Sequence, residues 1–424
     1  MIVAEEVVLI KVRIKVLEKD TKNMYKYILA IMPFLIISQT IYATDCNEPI
    51  KSANDFYVCA LLKDKRIVSL KFSREEREGR STEAAQIPNP EVESEFNFDS
   101  NKNQNISILQ PIEIGGKRSA RIEIANAKNN ESLIKDQSIK ARVATDISQS
   151  LVKYRQLSTR ISLLEEMKKS LKSFTRRLKG KAVRTPEEKT AVTIFTMQST
   201  VLDTQLLSLK QDFKLTKNLL ELSIGRNIKE SEKLISRERK NWPVLKKNSV
   251  KETFSSKLAL ASLAQVKGEF EYQRSKAWPE ISIGPVMEKQ SGSDIEFGAK
   301  IEFVLPLFNT NGGAKQESRA KLSKAQSLIS RTKLRESTKV RTYFEQYYDI
   351  AQFLKNSPSQ KNIKKSVSKS LELFSKGMIQ PSGIVESYRS TLETLEAVQE
   401  KELSIYKLYW MLQSYSGEVP KEFL

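Results

Sequence analysis

The chain has 424 residues, of which 39% are hydrophobic and 29% are charged. Its 14 Gly and 13 Pro are too few for a turn-rich β-sandwich or a disordered chain, so we expect long helices. The absence of histidine excludes Ser-His-Asp and Cys-His catalysis and histidine metal sites, and two cysteines cannot form a cysteine-based zinc site alone. The net charge is +20, and the Lys and Arg residues are scattered along the chain, as in solvated helix faces. No zinc-finger spacing or RNA-binding aromatic pattern indicates a nucleic-acid partner.

Residues 24–43 have the pattern of a secretory signal peptide. Lys26 supplies a basic start, an apolar run follows, and Ile41 and Ala43 fit the small-residue positions before a cleavage site. We predict cleavage after Ala43 and assign residues 1–43 to an N-terminal extension and signal peptide. Met24 is an alternative start to Met1, and an uncleaved anchor is the alternative fate of this segment.

The two cysteines, Cys46 and Cys59, follow the predicted cleavage site. An exported chain reaches an oxidising compartment in which they can form a disulfide, and two unpaired thiols are the alternative. Lipidation of Cys46 is disfavoured, because Asp45 stands where a lipidated cysteine requires a small residue.

Two short alternating strands follow a first helix predicted over residues 56–80. In the first strand Val92, Phe96 and Phe98 alternate with polar residues, and Ile106 and Ile108 continue the pattern after a polar turn. One apolar and one polar face suit a small soluble sheet. They equally suit a membrane strand with lipid on one face and water on the other.

A very long helix is predicted next, from Arg118 to about Lys179. Its apolar residues recur at steps of three and four from Ile147 to Leu178, which is the heptad pattern of a helix packed along another helix. At 1.5 Å per residue this helix is about 90 Å long. A markedly basic tip at residues 176–181 separates it from a helix predicted over residues 186–222.

The second half of the chain repeats this order. It comprises a helix over residues 251–277, two strands, a long helix over residues 314–376 that Pro358 should kink, and a last helix over residues 383–416. In its final strand five apolar residues alternate with polar ones: Ile295, Phe297, Ala299, Ile301 and Phe303.

Matched glycines indicate that the two halves arose by duplication. Gly115-Gly116 recurs as Gly312-Gly313, and Gly180 recurs as Gly377 at the same offset. In each half the two shorter helices together match the long one in length, so they can stack end to end along it. We therefore divide the chain into a first repeat (44–225), a linker or equatorial segment (226–250), a second repeat (251–417) and a C-terminal tail (418–424).

These segments resemble the TolC family of outer membrane efflux proteins. Gln110–Arg118 followed by Arg121 resembles the first strand-to-helix motif of that family. Leu305–Asn309 with Gly312-Gly313 resembles the second, especially in the heavy-metal efflux branch typified by CzcC. Gly377–Ile384 resembles the helix-turn-helix tip at the periplasmic end.

The resemblance implies a mainly α fold with membrane β structure. Long coiled-coil helices would form a periplasmic α-barrel, and three protomers would each give four strands to one 12-stranded outer-membrane β-barrel. Four strands cannot close a barrel alone and would leave unpaired edges in lipid, so strands that span a membrane require several copies. The sequence alone allows two protomers with eight strands or three with twelve, and the resemblance implies three. The implied strand-to-helix turns are Gly115, Gly116, Gly312 and Gly313, and the implied lumen-facing residues are Glu296, Lys300 and Glu302.

The implied function is that of a passive exit duct of a tripartite efflux or export system, without enzymatic activity or a cofactor. The partners would be two further copies, outer-membrane lipid, a periplasmic adaptor and an inner-membrane pump of the RND or ABC type, with no nucleic acid. The implied adaptor-docking residues are Arg177, Gly180, Gly377, Met378, Gln380 and Ser382. The alternatives are a duct for type I protein secretion and a periplasmic coiled-coil structural or adhesion protein without a pore. The transported substrate stays open.

Overall fold

The computed structural model describes residues 46, 49–96, 104–229, 232–245, 252–290, 292–415, 420 and 422–423. The predicted signal peptide and its cleavage site lie outside these residues. Among the helices that the structure describes, none has the length and apolar composition needed to cross a membrane.

The described elements follow the same order in both halves of the chain. The first half contains α1 (Ala53–Lys63), α2 (Lys65–Val68), α3 (Leu70–Ala85), β1 (Glu91–Phe96), β2 (Gln104–Ile112), α4 (Lys117–Lys179) and α5 (Pro186–Ile224). The second half contains α6 (Phe254–Ser275), β3 (Glu280–Lys289), β4 (Glu296–Val304), α7 (Gly312–Asn356), α8 (Gln360–Ser375) and α9 (Pro381–Tyr415).

Two predicted helices are interrupted. The helix expected over residues 56–80 forms three pieces, since Asp64 ends α1 and its side chain accepts a hydrogen bond from the N–H of Arg66 at 2.9 Å to start α2. The second long helix breaks at Pro358 instead of kinking, because proline has no N–H to donate. Ser359 then caps α8 by accepting a hydrogen bond from the N–H of Asn362 at 3.2 Å.

The helix α4 is the central element of the fold. Its 63 residues give a length of about 95 Å at 1.5 Å per residue. The shorter helices α3 and α5 pack along it one after the other, and α6 and α9 pack in the same way along α7 and α8. The pairing predicted from the helix lengths is therefore present, with α4 also contacting α6 and α9.

Two separate apolar clusters hold the helices together, and the heptad residues of α4 contribute to both. The equatorial core includes Tyr57, Leu151, Tyr347, Tyr406 and Trp410. The lower core, nearer the hairpin ends, includes Leu164, Met167, Leu171, Phe195, Val367 and Tyr388. Burial of side chains of this size stabilises the fold by about 1.5–3 kcal/mol each.

The described part of the predicted equatorial segment has no regular secondary structure but is anchored in the equatorial core through Leu234 and Leu245. The carboxylate of Glu232 accepts hydrogen bonds from the N–H groups of Ile50 at 3.1 Å and Lys229 at 3.0 Å, and pairs with Arg226 at 2.7 Å. A disulfide joins Cys46 to Cys59, with their Cα atoms 5.5 Å apart. The start of the described chain is thereby fastened to the middle of the helical body.

Acidification is expected to weaken this anchor. Burial raises the pKa of Glu232, but the hydrogen bonds from Arg226, Ile50 and Lys229 outweigh burial and lower the pKa below the ordinary 4.5. A carboxyl with a depressed folded-state pKa contributes stability above its unfolded pKa, and this contribution is lost as the pH falls through the folded value. Denaturant unfolding at pH 7 and at decreasing pH should therefore show that acid lowers the free energy of unfolding less in Glu232→Gln than in the wild type. An equal decrease in both proteins would contradict a stabilising role of the Glu232 carboxylate.

Candidate functional site

The four strands form one antiparallel sheet in the order β1-β2-β3-β4, at the end of the helical body where α4 begins. The register pairs apolar with apolar positions, as in Ile281 opposite Phe303 and Ile106 opposite Met287. Among the described residues, β1 and β4 each pair on one side, so the sheet has two free edges.

The apolar face of the sheet is exposed. Phe297 is 81% exposed and Val92 is 71% exposed, although both are large apolar side chains. Six further side chains of this face are also more than two-fifths exposed: Phe96, Ile108, Ile112, Ile283, Ile301 and Phe303. Ile106, Ile281 and Met287, on the same face, are partly buried. An uncovered apolar surface spread over four strands indicates contact with a nonaqueous environment or a partner.

The opposite face is concave and mostly polar, with Leu109 buried on it. Lys300 on β4 forms an ion pair with Glu93 on β1, which requires the sheet to curl until its first and last strands approach each other on this side. The hydroxyl of Ser107, a buried residue of the same face, donates to Glu93 at 3.4 Å. Glu296 and Glu302, of the same parity as Lys300 on β4, share its face. The structure thus brings the three residues predicted to face the lumen onto the concave face.

The first strand-to-helix turn depends on both predicted glycines. Gly115 and Gly116 have φ of 70° and 82°, in the left-handed region that favours glycine. A Cβ on Gly115 would lie 2.3 Å from the Trp278 ring, whereas a Cβ on Gly116 would meet nothing within 4 Å. Arg121 of α4 binds the carboxylate of Glu113, just after β2, and donates to the carbonyl of Gln86, just after α3, at 2.8 Å. This arginine therefore links the ends of α3 and β2 to α4.

The second turn differs from the prediction. Gly312 and Gly313 are the first residues of α7 and have no positive φ. The left-handed residue is Asn311, with φ of 57°, and its side chain donates to the carbonyl of Gln273 at 2.7 Å. Asparagine tolerates this conformation better than most residues, so it takes the position that glycine holds in the first turn.

At the opposite end, the two predicted tip glycines differ in conformation. Gly377 has φ of 72°, and the next N–H, of Met378, donates to the carbonyl of Leu373 at 3.0 Å. This is a glycine-dependent helix stop. Gly180 has φ of −76°, and a Cβ added to it would make ordinary contacts at 3.5 Å or more. The backbone at this position therefore does not require glycine.

A groove of about 480 Å³ lies between the α4–α5 and α8–α9 tips. Phe374 joins the two hairpins, with its ring centroid 4.7 Å from Phe174 and 5.4 Å from Phe195. Among the predicted docking residues, Arg177 and Gly377 line the groove. Met378 stands beside it, 68% exposed, and Gln380 and Ser382 lie at the start of α9.

Sequence reasoning missed the aromatic floor of this groove and the role of Glu93. Phe174 belongs to the predicted heptad seam, but nothing in its spacing shows that Phe374 reaches it from the other repeat. The alternating parity of β1 could have placed Glu93 on the polar face together with Lys300.

No family model and no curated protein sequence matches the chain. Solved structures share its fold. They include the outer membrane protein VceC of Vibrio cholerae (11% identity, TM-score 0.62, 86% of this chain and 96% of that one). The MtrE outer membrane channel of Neisseria gonorrhoeae matches with 12% identity and a TM-score of 0.63, over 86% of this chain and 88% of that one.

The CmeC outer membrane channel of Campylobacter jejuni matches in the same way, with 12% identity, a TM-score of 0.62 and coverage of 88% of this chain and 89% of that one. These neighbours are TolC-family outer membrane channels and not enzymes. The chain therefore has the fold of the TolC-type outer membrane channels.

Proposed function

We propose that the protein is the outer-membrane duct of a tripartite efflux or export system and conducts its substrate passively to the cell exterior. The observation that carries this proposal is the four-stranded sheet with an exposed apolar convex face and a polar concave face. A barrel wall needs this combination, with lipid outside and water inside. A soluble sheet of this size would have to cover its apolar face.

The free edges of β1 and β4 support assembly from several copies. Unpaired backbone groups are costly in lipid, so a sheet that spans a membrane has to close. We infer three copies and a 12-stranded barrel from the resemblance to the TolC family, with Glu296, Lys300 and Glu302 in the lumen. The helix α4, about 95 Å long, and the helices packed along it would then form the periplasmic α-barrel.

At the lower end, we propose that the hairpin tips dock a periplasmic adaptor that links the duct to an RND- or ABC-type pump. The tip groove, with its aromatic floor and its charged rim at Arg177 and Glu188, offers the mixed surface of a protein contact. The resemblance of Leu305–Asn309 to the CzcC branch makes metal ions one substrate class to test. Drugs and secreted proteins are the others.

Membrane fractionation and mass measurement of the mature protein test the duct directly. A detergent-stable trimer in the outer-membrane fraction, with a mass that places the cleavage after Ala43, is expected. Sensitivity of a deletion strain to metals and drugs then identifies the substrate. A soluble periplasmic monomer or dimer would refute the duct and favour the coiled-coil structural protein, while a neighbouring gene for a transporter ATPase would favour type I secretion.

The docking role of Gly377 is tested by two substitutions that strain the backbone equally. Gly377→Ala and Gly377→Trp both place a side chain on a left-handed residue, at a cost of about 1–2 kcal/mol. A Cβ there meets nothing within 4 Å, so both variants should assemble. Export is expected to persist in the alanine variant and to be lost in the tryptophan variant, whose ring obstructs the tip groove. Equal export by both variants would remove Gly377 from the docking site.

A further inference from the structure

The helices next to the sheet form one layer, and the two helices at its edges each have a free side. In this layer α3 packs on α4, α4 packs on α6, and α6 packs on α7. Because β1 follows α3 and α7 follows β4, the same two helices flank the free edges of the sheet. A barrel closed from several copies would therefore place α3 of one copy beside α7 of the next.

The free side of α3 is acidic. The residues that α3 turns toward α4 are partly buried and recur at steps of three and four: Leu70, Ser73, Arg77, Arg80 and Ala84. Glu75 follows a member of this row by two residues, which places it on the opposite side of the helix. Glu76 and Glu83 lie on a flank of that side. Among the residues that the structure describes, these three carboxylates are exposed and form no ion pair.

The free side of α7 is basic. The residues that α7 turns toward α6 are buried or partly buried and recur in the same way: Ser318, Leu322, Ala325, Ile329, Thr332 and Glu336. Lys324 and Arg331 each follow a member of this row by two residues, so both cations lie on the opposite side of α7. Both are exposed and, within the described part of the chain, form no ion pair. The two edges of the layer therefore carry opposite charge.

The height of the acidic edge follows from a contact with α4. Asn129 of α4 donates to the hydroxyl of Ser81 at 2.7 Å, so these two residues lie at one height. The helix α3 ends at the sheet and α4 begins there, so the two helices are antiparallel. Glu75 and Glu83 therefore lie at the heights of about residues 135 and 127 of α4.

The height of the basic edge follows through α6. A Cβ on Gly268 of α6 would lie 2.9 Å from the side chain of Ile124, so these residues share one height. Contacts near both ends of α6 fix its antiparallel register with α7: Thr253 with Glu336 at 3.1 Å and Gln273 with Asn311 at 2.7 Å. Lys324 and Arg331 then lie at the heights of about residues 130 and 136 of α4, within about 5 Å of the two carboxylates. Copies arranged around an axis parallel to the helices keep these heights.

We propose that α3 of one copy packs against α7 of the next, with the carboxylates of Glu75 and Glu83 opposite the two cations of α7. This inference rests on the proposed function, because only a barrel requires a closed ring of copies. The opposite charges select this contact, since two acidic or two basic edges would repel each other. Phe72 of α3, 52% exposed, and Leu334 of α7, 70% exposed, have similar heights and would be covered by the same contact.

The test reverses the charges of one edge at a time in the detergent-solubilised full chain. The acidic-edge variant Glu75→Lys, Glu83→Lys and the basic-edge variant Lys324→Glu, Arg331→Glu each make the contact repulsive. Analytical ultracentrifugation over a dilution series should show about tenfold weaker association for each variant at low salt, and a smaller difference at high salt. The combined variant with all four substitutions restores opposite charges and should associate as the wild type does.

A control variant and a cross-link complete the design. Arg319→Glu, Lys333→Glu makes the same change of charge on exposed residues of α7, about 140–160° around the helix from the basic edge, and should leave association unchanged. Carbodiimide joins a carboxylate to an amine in direct contact. Because α4 and α6 separate α3 from α7 within one copy, a cross-link between Glu83 and Lys324 should be found in the covalent oligomer and not in the monomer band.

Three outcomes would overturn the proposal: wild-type association of either edge variant, equal weakening in the control variant, or a combined variant no better than its components. Recovery in the combined variant would exclude misfolding as the cause of the loss. Absence of the wild-type chain from the outer membrane would refute the duct itself. An assembled wild-type duct that tolerates both reversals would refute the charged contact alone.

Discussion

Replacing Ile301 with lysine is expected to remove the protein from the outer-membrane fraction. Ile301 lies on the convex apolar face and is 53% exposed, so its side chain would contact lipid in the proposed barrel. A lysine on the lipid face near the middle of a membrane costs about 2–4 kcal/mol per copy, and an assembly of several copies pays this cost in each. Fractionation followed by immunoblotting measures the outcome.

The adjacent residue supplies the control. Lys300 is on the concave face, and Lys300→Gln removes its ion pair with Glu93 without exposing a charge to lipid. This variant should remain in the outer membrane. If Ile301→Lys also remained there, the convex face would not contact lipid, and a water-exposed sheet would become the better interpretation.

Removing the buried guanidinium of Arg155 is expected to destabilise the helical body by about 3–5 kcal/mol. Arg155 and Glu402 form an ion pair at 2.5 Å between α4 and α9, and their side chains are 2% and 3% exposed. Within the described residues, the Nε and Nη1 atoms of Arg155 lack hydrogen-bond partners, so the pair compensates its desolvation poorly. Arg155→Met would leave Glu402 charged and buried without its counterion.

Denaturant unfolding of three variants separates the contributions. The double variant Arg155→Met, Glu402→Leu removes both charges and should recover most of the lost stability. Arg389→Met, which breaks an exposed ion pair with Glu386 on the same helix α9, should cost less than about 1 kcal/mol. A double variant as unstable as Arg155→Met would show that the loss comes from packing and not from an unpaired charge.

Features with a local cause were predictable from the sequence. The helix expected from Arg118 to Lys179 occupies Lys117–Lys179, because a sustained heptad pattern specifies both the helix and its buried side. The polar and apolar faces of β4 follow from strict alternation, although the strand begins at Glu296 and excludes Ile295. Gly115 and Gly116 were correctly placed at a turn, since few other residues adopt positive φ readily.

The predictions failed where two adjacent signals acted together or where a tertiary contact selected the turn residue. Pro358 was expected to kink a continuous helix, but Ser359 supplies a new cap immediately after it, and the two signals together end one helix and start another. The pair Gly312-Gly313 predicts a copy of the first turn. The backbone instead places Asn311 in the left-handed position, where its amide finds a carbonyl of α6, a contact that depends on packing.

The sequence by itself determined the long helices, the alternating strands and the order of elements in the two halves, because each depends on periodicity or on the conformational limits of single residues. The tertiary structure alone decided which surfaces these elements create. The ion pair of Lys300 with Glu93, the contact of Phe374 with Phe174 and the buried pair of Arg155 with Glu402 join residues that are distant along the chain. Such contacts depend on how helices and strands pack in three dimensions, and a one-dimensional pattern does not specify that packing.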